Sequence, residues 1–99
     1  MKMQVLQEAE DEFSEAIQHY EDITPGLGVR LKSEVRGVLS WIQKNPDRPR
    51  LRPRGYRRVN CTTFPYYIAY LVLPGEIFIL AIAHAKRRPD YWAPRLESR

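Results

Sequence analysis

A chain of 99 residues, 43% hydrophobic and 28% charged, makes a single domain over 1–99 with a modest core and excludes wholesale disorder. Its net charge of +4 hides a polarity: residues 1–34 hold three Lys/Arg against eight Asp/Glu and residues 35–99 thirteen against four, so the second half suits a polyanion or an acidic partner. Cys61 stands alone, which excludes an internal disulfide, and no apolar run reaches membrane-spanning length or forms a signal peptide, so a cytoplasmic protein is expected.

Ala9, Phe13, Ala16, Ile17, Tyr20 and Ile23 recur at helical spacing among acidic residues, which predicts an amphipathic helix over 7–23. Thr24-Pro25-Gly26 breaks the pattern, and Thr24 is placed to cap a second helix with Pro25 in its first turn. Leu27, Leu31, Val35, Val38, Leu39 and Ile42 form that helix's apolar stripe, with Trp41 at its edge, until Asn45-Pro46 stops it. Residues 46–55 are linker-like, with Arg48, Arg50, Arg52 and Arg54 alternating among prolines. An extended backbone puts all four guanidinium groups on one side, whereas a polyproline twist spreads them around the axis. Strands are expected over 56–61, 63–73 and 76–84, the last two joined by Pro74-Gly75 in a type II turn, with Pro65 at a strand start or bulge. Strict alternation puts Ile77, Ile79, Ala81 and Ala83 on one face of the last strand, and Phe78, Leu80, Ile82 and His84 on the other. Both faces are apolar, yet two helices cover only one. The segment around Trp92, self-association or a partner must cover the second.

The last strand runs into His84, Lys86, Arg87 and Arg88. An imidazole beside cations on a rigid scaffold is the inventory for gripping phosphate and moving protons on it, which points to a nucleic acid. No cofactor is expected. No metal site is suggested either, since His19 and His84 are far apart in sequence and Cys61 has no cysteine partner.

Taken in order, the tracts 12–21 (Glu-Phe-Ser-Glu-Ala-Ile-Gln-His-Tyr-Glu), Leu27-Gly28-Val29-Arg30-Leu31, Asn45-Pro46, Arg57-Arg58, 64–70 (Phe-Pro-Tyr-Tyr-Ile-Ala-Tyr) and 81–92, ending in Arg88-Pro89-Asp90-Tyr91-Trp92, are similar to the RelE/ParE superfamily of type II toxin–antitoxin toxins. The resemblance implies an α+β fold in which a helical hairpin packs on a three- to four-stranded antiparallel sheet. It also implies a cognate antitoxin, acidic towards the Arg-rich half, that docks a helix or a strand. Self-association, or a heterotetramer with the antitoxin, is left open. Only residues 1–6 precede the first helix, so the family's N-terminal strand must be very short here.

Members of this superfamily divide by target: RelE-like toxins resemble ribonucleases that cut mRNA on the ribosome, and ParE-like toxins inhibit DNA gyrase. For the first chemistry, a base takes the 2′-hydroxyl proton, an acid protonates the leaving oxygen and cations stabilise the phosphorane. The resemblance then implies Arg58 as phosphate clamp, His84 as acid or base, Arg87 as stabiliser and Tyr91 as stacking or proton-transfer residue. Arg50, Arg52, Arg54, Arg57, Lys86 and Arg88 would bind RNA. Parity prefers Arg58 to Arg57, because Val59 and Cys61 look core-facing. No carboxylate lies between Arg48 and Pro74 to act as the base. This reading sets mRNA cleavage ahead of gyrase inhibition, with a non-toxic basic binding module as a third alternative. The plainer roles are a hydrogen-bonded structural His84, packing tyrosines at 66, 67 and 70, a buried Cys61, and a Trp92 that pins the tail.

Overall fold

Two amphipathic helices and four strands account for most of the computed structural model, which describes residues 1–97. The order is β1 (Lys2–Val5), α1 (Gln7–Ile23), α2 (Leu27–Lys44), β2 (Arg57–Asn60), β3 (Tyr66–Leu73) and β4 (Glu76–His84), followed by a short 3-10 helix (Ala93–Glu97). The helices bury the stripes their spacing dictates: Ala9 and Ala16 from α1, Leu31, Val35 and Ile42 from α2, with Phe13, Ile17, Tyr20, Val38 and Leu39 packed around them.

The turn between the helices differs from expectation. Thr24 does not cap α2; it closes α1, donating its N–H to Tyr20 O at 3.0 Å. Gly26 takes the cap position at φ 90°, a left-handed conformation open to glycine at no steric cost. The freed donors of α2 are met from the preceding helix. Glu21 accepts from Gly26 N at 2.7 Å and from Gly28 N at 2.9 Å. At Gly28 the two helices approach closely, and an added Cβ would lie 2.4 Å from Ile17 O.

The sheet order is β1-β4-β3-β2. β2, β3 and β4 form the expected antiparallel meander, with Gly75 at φ 74° in the turn. The sheet as a whole is mixed rather than antiparallel, because β1 adds to β4 in parallel, Met3 beside Ile77 and Val5 beside Ile79. A parallel pair needs a long crossover, and here α1, α2, β2 and β3 all lie between its members. Residues 63–65 fall outside β3. Glu34 gathers that connection from α2, accepting from Thr62 Oγ1, Thr63 N and Phe64 N at 3.0–3.2 Å. Burial pushes the Glu34 carboxyl up, but these hydrogen bonds outweigh it and hold the group below its ordinary value. Burial, then the neighbouring Glu34 charge, pushes the Cys61 thiol up to about 11.

A bulge breaks the expected alternation of β4. Ala69 pairs with Ala81 and Tyr70 with Ile79, leaving Leu80 as the extra residue. Ile82 therefore shares the helix-facing core with Ile77 and Ile79, while Ala81 and Ala83 pass to the far face with Leu80. The C-terminal segment covers that far face. Trp92, 1% exposed, donates Nε1–H to Tyr67 OH at 2.9 Å and meets Tyr56 edge-on at 4.7 Å, with Ala93 and Leu96 beside it. Trp92 thus pins the tail, and the sheet is sandwiched between the helical hairpin and the chain's own end.

Two glycines on one helix provide opposite tests. Gly28→Ala should cost about 1–3 kcal/mol through the forced backbone clash, seen as a fall in Tm. Gly37→Ala, where a Cβ meets nothing within 4 Å, should stabilise by about 0.5–1 kcal/mol through helix propensity. Equal effects from the two changes would refute the close-approach account. Because the folded Glu34 carboxyl sits below its unfolded value, its stabilisation is complete above that unfolded value and disappears as pH falls through the folded one. Urea melts across the acid limb should show Glu34→Gln losing part of that pH dependence; an unchanged acid slope would remove Glu34 from the account.

Candidate functional site

β4 outruns its edge partner. β1 stops opposite Ile79, so beyond that point β4 has no strand neighbour on this side and its polar groups need other partners. Glu12 of α1 and Arg95 of the 3-10 helix supply them. Ile82 N–H donates to Glu12 Oε1 at 3.1 Å, and Arg95 Nη1 donates to Leu80 O at 3.0 Å. The same two side chains pair with each other, Nη1 to Oε1 and Nη2 to Oε2, both at 3.1 Å and both largely shielded from water. Tyr91 OH completes the set by donating to Glu12 Oε2. Burial, then the Glu12 hydrogen bond and charge, raises the Tyr91 hydroxyl well above its ordinary range, so it stays protonated.

Beside this junction lies a cleft of about 240 Å³ between α1 and the end of β4, whose lining includes Glu15, His19, Tyr66, His84 and Arg87. His84 is held by two contacts. Lys86 N–H donates to its Nδ1 at 3.0 Å, and its ring meets Tyr66 edge-on at 5.1 Å. Nδ1 accepts this hydrogen bond, which leaves Nε2 as the ring nitrogen open to the cleft. Arg87 stacks on Tyr91, its guanidinium carbon 3.7 Å from the ring centroid. Lys86 and Arg88 stand exposed in the turn after β4.

Arg58 lies elsewhere. As parity requires, it points away from the Val59 face: it pairs with Ala69 and lies over the Tyr67 ring at 3.9 Å, with Asn60 Oδ1 accepting from its guanidinium. Tyr67 belongs to the tail-covered face and His84 to the helix-facing cleft, so the sheet separates Arg58 from His84, while Tyr91 packs against the tail-covered cluster as well as lining the cleft. Arg57 faces the other way and turns inward. It donates to the Asp47 and Pro49 carbonyls at 3.2 and 2.7 Å and pairs with the Asp47 carboxylate at 3.5 Å, which makes it a tether for the Arg-rich segment instead of a free cation. Tyr70 OH, pushed by burial up to about 12, donates to Pro46 O nearby at 2.9 Å.

The Arg-rich segment is neither an extended ribbon nor a polyproline helix. Arg48 N–H donates to Asn45 O, Gly55 N–H to Arg52 O and Arg52 N–H to Tyr56 O, so the chain folds into two turns with Arg54 at φ 74°. Arg50 and Arg54 are exposed and Arg52 partly so. Among the described residues no group of three or more His, Cys, Asp or Glu is arranged to hold a metal. Nor is any helix long and apolar enough to cross a membrane.

Glu12 and Arg95 were not singled out from the sequence, and His19, read there as a surface residue without a role, is exposed but lines the cleft with His84. Glu12 did carry a signal: it lies three residues after Ala9 and four before Ala16, both buried, so it flanks the core stripe instead of the solvated face. Replacing it should be expensive, because Arg95, Tyr91 and the Ile82 N–H all lose an acceptor. Glu12→Ala is expected to cost about 2–4 kcal/mol in urea denaturation, and a variant within experimental error of the parent would show that the junction carries no stability.

Known proteins place this architecture. The model of the family described as ParE toxin of type II toxin-antitoxin system, parDE, matches residues 4–89. The chain is 30% identical over 90 residues to Toxin ParE2 of Mycobacterium tuberculosis, strains CDC 1551 / Oshkosh and H37Rv, which covers 90% of this chain and 86% of the relative. In fold it resembles a chain of the chromosomal ParDE TA system from P. aeruginosa, with a TM-score of 0.76 at 19% identity over 87% of this chain and 97% of that one. The two-helix hairpin on a four-stranded sheet, closed by its own tail, is the fold of a type II toxin, and the chain belongs to the ParE toxin family.

Proposed function

We propose that this toxin acts as a non-catalytic inhibitor of DNA gyrase and is neutralised by a cognate antitoxin. The observation that carries this reading is the dispersal of the groups a ribonuclease would need. Arg58 lies across the sheet from His84, the residue expected to act as acid or base. The groups that do meet are already committed: the His84 Nδ1 lone pair to Lys86 N–H, the Tyr91 hydroxyl to Glu12, and the Glu12 carboxylate to four donors. General acid–base catalysis needs a proton acceptor within reach of substrate, and of the carboxylates and imidazoles in this cleft only Glu15 and His19 stand outside these hydrogen bonds. Membership of the ParE branch supports the same target. The cytoplasm, where gyrase and nascent antitoxin meet, is the compartment this function requires.

The antitoxin is expected to present acidic side chains to the basic half. Apolar ones should meet the exposed Trp41, since the far face of the sheet is already covered by the tail. Ribosome-dependent mRNA cleavage is the second reading. What favours it is the open cleft that brings His19, His84 and Arg87 together.

Purified toxin added to gyrase should suppress supercoiling, and His84→Ala and Arg58→Ala should retain growth arrest when expressed without antitoxin. Pulse-labelling separates the readings. Early failure of DNA synthesis with translation intact supports gyrase, whereas an early collapse of translation that depends on His84 would transfer the assignment to mRNA cleavage.

A further inference from the structure

The segment between α2 and β2 combines a fixed backbone with unneutralised charge. Its main chain is held from beneath by Tyr70 OH on Pro46 O, by Arg57 on the Asp47 and Pro49 carbonyls, and by its own turns. Its one carboxylate, Asp47, is paired with Arg57. Arg48 and Arg50 are exposed and make no ion pair among the described residues. Arg54 reaches Glu97 only at 4.0 Å, with both side chains more than half exposed, an arrangement worth little in water. Arg54 also keeps a left-handed backbone, φ 74°, where a glycine or asparagine would sit with less strain.

We propose that this segment is a docking surface for the phosphate backbone of duplex DNA, contacted without sequence preference by Arg48, Arg50 and Arg54. A protein partner is the weaker fit. Interfaces between proteins are built on an apolar core with charge depleted at its centre, and here Leu51 is the only aliphatic side chain other than proline across residues 46–55. Nucleic-acid interfaces are by contrast polar and strongly cationic. Duplex DNA is chosen over RNA on the strength of the gyrase reading, since a toxin directed at a DNA-bound enzyme gains a second foothold on its substrate. The phosphate contact itself does not depend on that reading.

The test uses the isolated full-length toxin and a labelled duplex DNA of random sequence, followed by fluorescence anisotropy across a salt series. Three phosphate contacts predict a roughly 40-fold loss of affinity between about 50 and 200 mM salt. Changing Arg48, Arg50 and Arg54 together to Gln should weaken binding about tenfold or more and lower the log–log salt slope by nearly three. The control changes Arg30, Lys32 and Arg36 of α2 to Gln, removing the same charge elsewhere, and should weaken binding far less. Thermal melts of both variants verify the fold.

Equal weakening in the two variants would reduce the effect to bulk charge and overturn the proposal. So would absence of duplex binding at low salt. Tighter binding of a single-stranded RNA through the same arginines, or variant effects confined to the antitoxin complex, would overturn it as well. A supercoiling assay on the same preparations separates the two claims: DNA binding without gyrase inhibition defeats the proposed function alone, and inhibition without DNA binding defeats this inference alone.

Discussion

A sheet edge that runs past its neighbour is the constraint around which this molecule is organised. β1 pairs with only the first half of β4, and the backbone groups at Leu80 and Ile82 would otherwise face the gap. A glutamate from the first helix and an arginine from the tail take the place of the missing strand, one supplying the acceptor and the other the donor. Their mutual pairing matters because each alone would be a half-buried charge without compensation, a situation that costs more than the pair returns. The junction also explains why the tail lies where it does. With Arg95 fixed at the β4 edge and Trp92 bonded to Tyr67, the chain is drawn across the second apolar face, and a sheet that two helices cannot cover on both sides is closed from within.

That closure bears directly on what the protein can do. The far face is occupied by its own tail, and the junction absorbs the hydroxyl of Tyr91 and all the acceptor capacity of Glu12 that geometry allows. The outward-facing features of the second half are cationic or mixed, namely the turn after β4 with Lys86 and Arg88, the cleft beside His19 and His84, and the tethered arginine segment, whereas α1 exposes an acidic face. Surfaces of this kind dock charged partners with fast, salt-sensitive association.

The helices were legible because their information is local: apolar spacing, an acidic first segment and the Asn45-Pro46 stop leave little for tertiary structure to change. Arg58 could be oriented by parity alone, since a strand of period two leaves only two choices. The β4 bulge could not. Nothing in Ile79-Leu80-Ala81 marks it, and the insertion makes sense only once Ala69 and Tyr70 are seen to need different partners. The parallel placement of β1 was equally hidden, because a four-residue strand carries no sign of which neighbour it will choose. Thr24 misled for a different reason. Threonine before proline is a good helix start, but the tight reversal between helices calls for a left-handed residue, and Gly26 answered that need. The dispersal of the expected phosphate-binding set follows from the sheet itself, which holds Arg58 and His84 on strands of opposite facing.

Residues 2–5 are made before both helices, yet they find their place only against residues 76–79, three-quarters of the chain later. Contacts of such long sequence separation form slowly, since loop closure must be accomplished before they contribute. Until β4 has emerged, the growing polypeptide holds a helical hairpin with neither its central strand nor the tail that seals it. Copies that stop short of β4 therefore lack both the partner of β1 and the segment that covers the far face of the sheet.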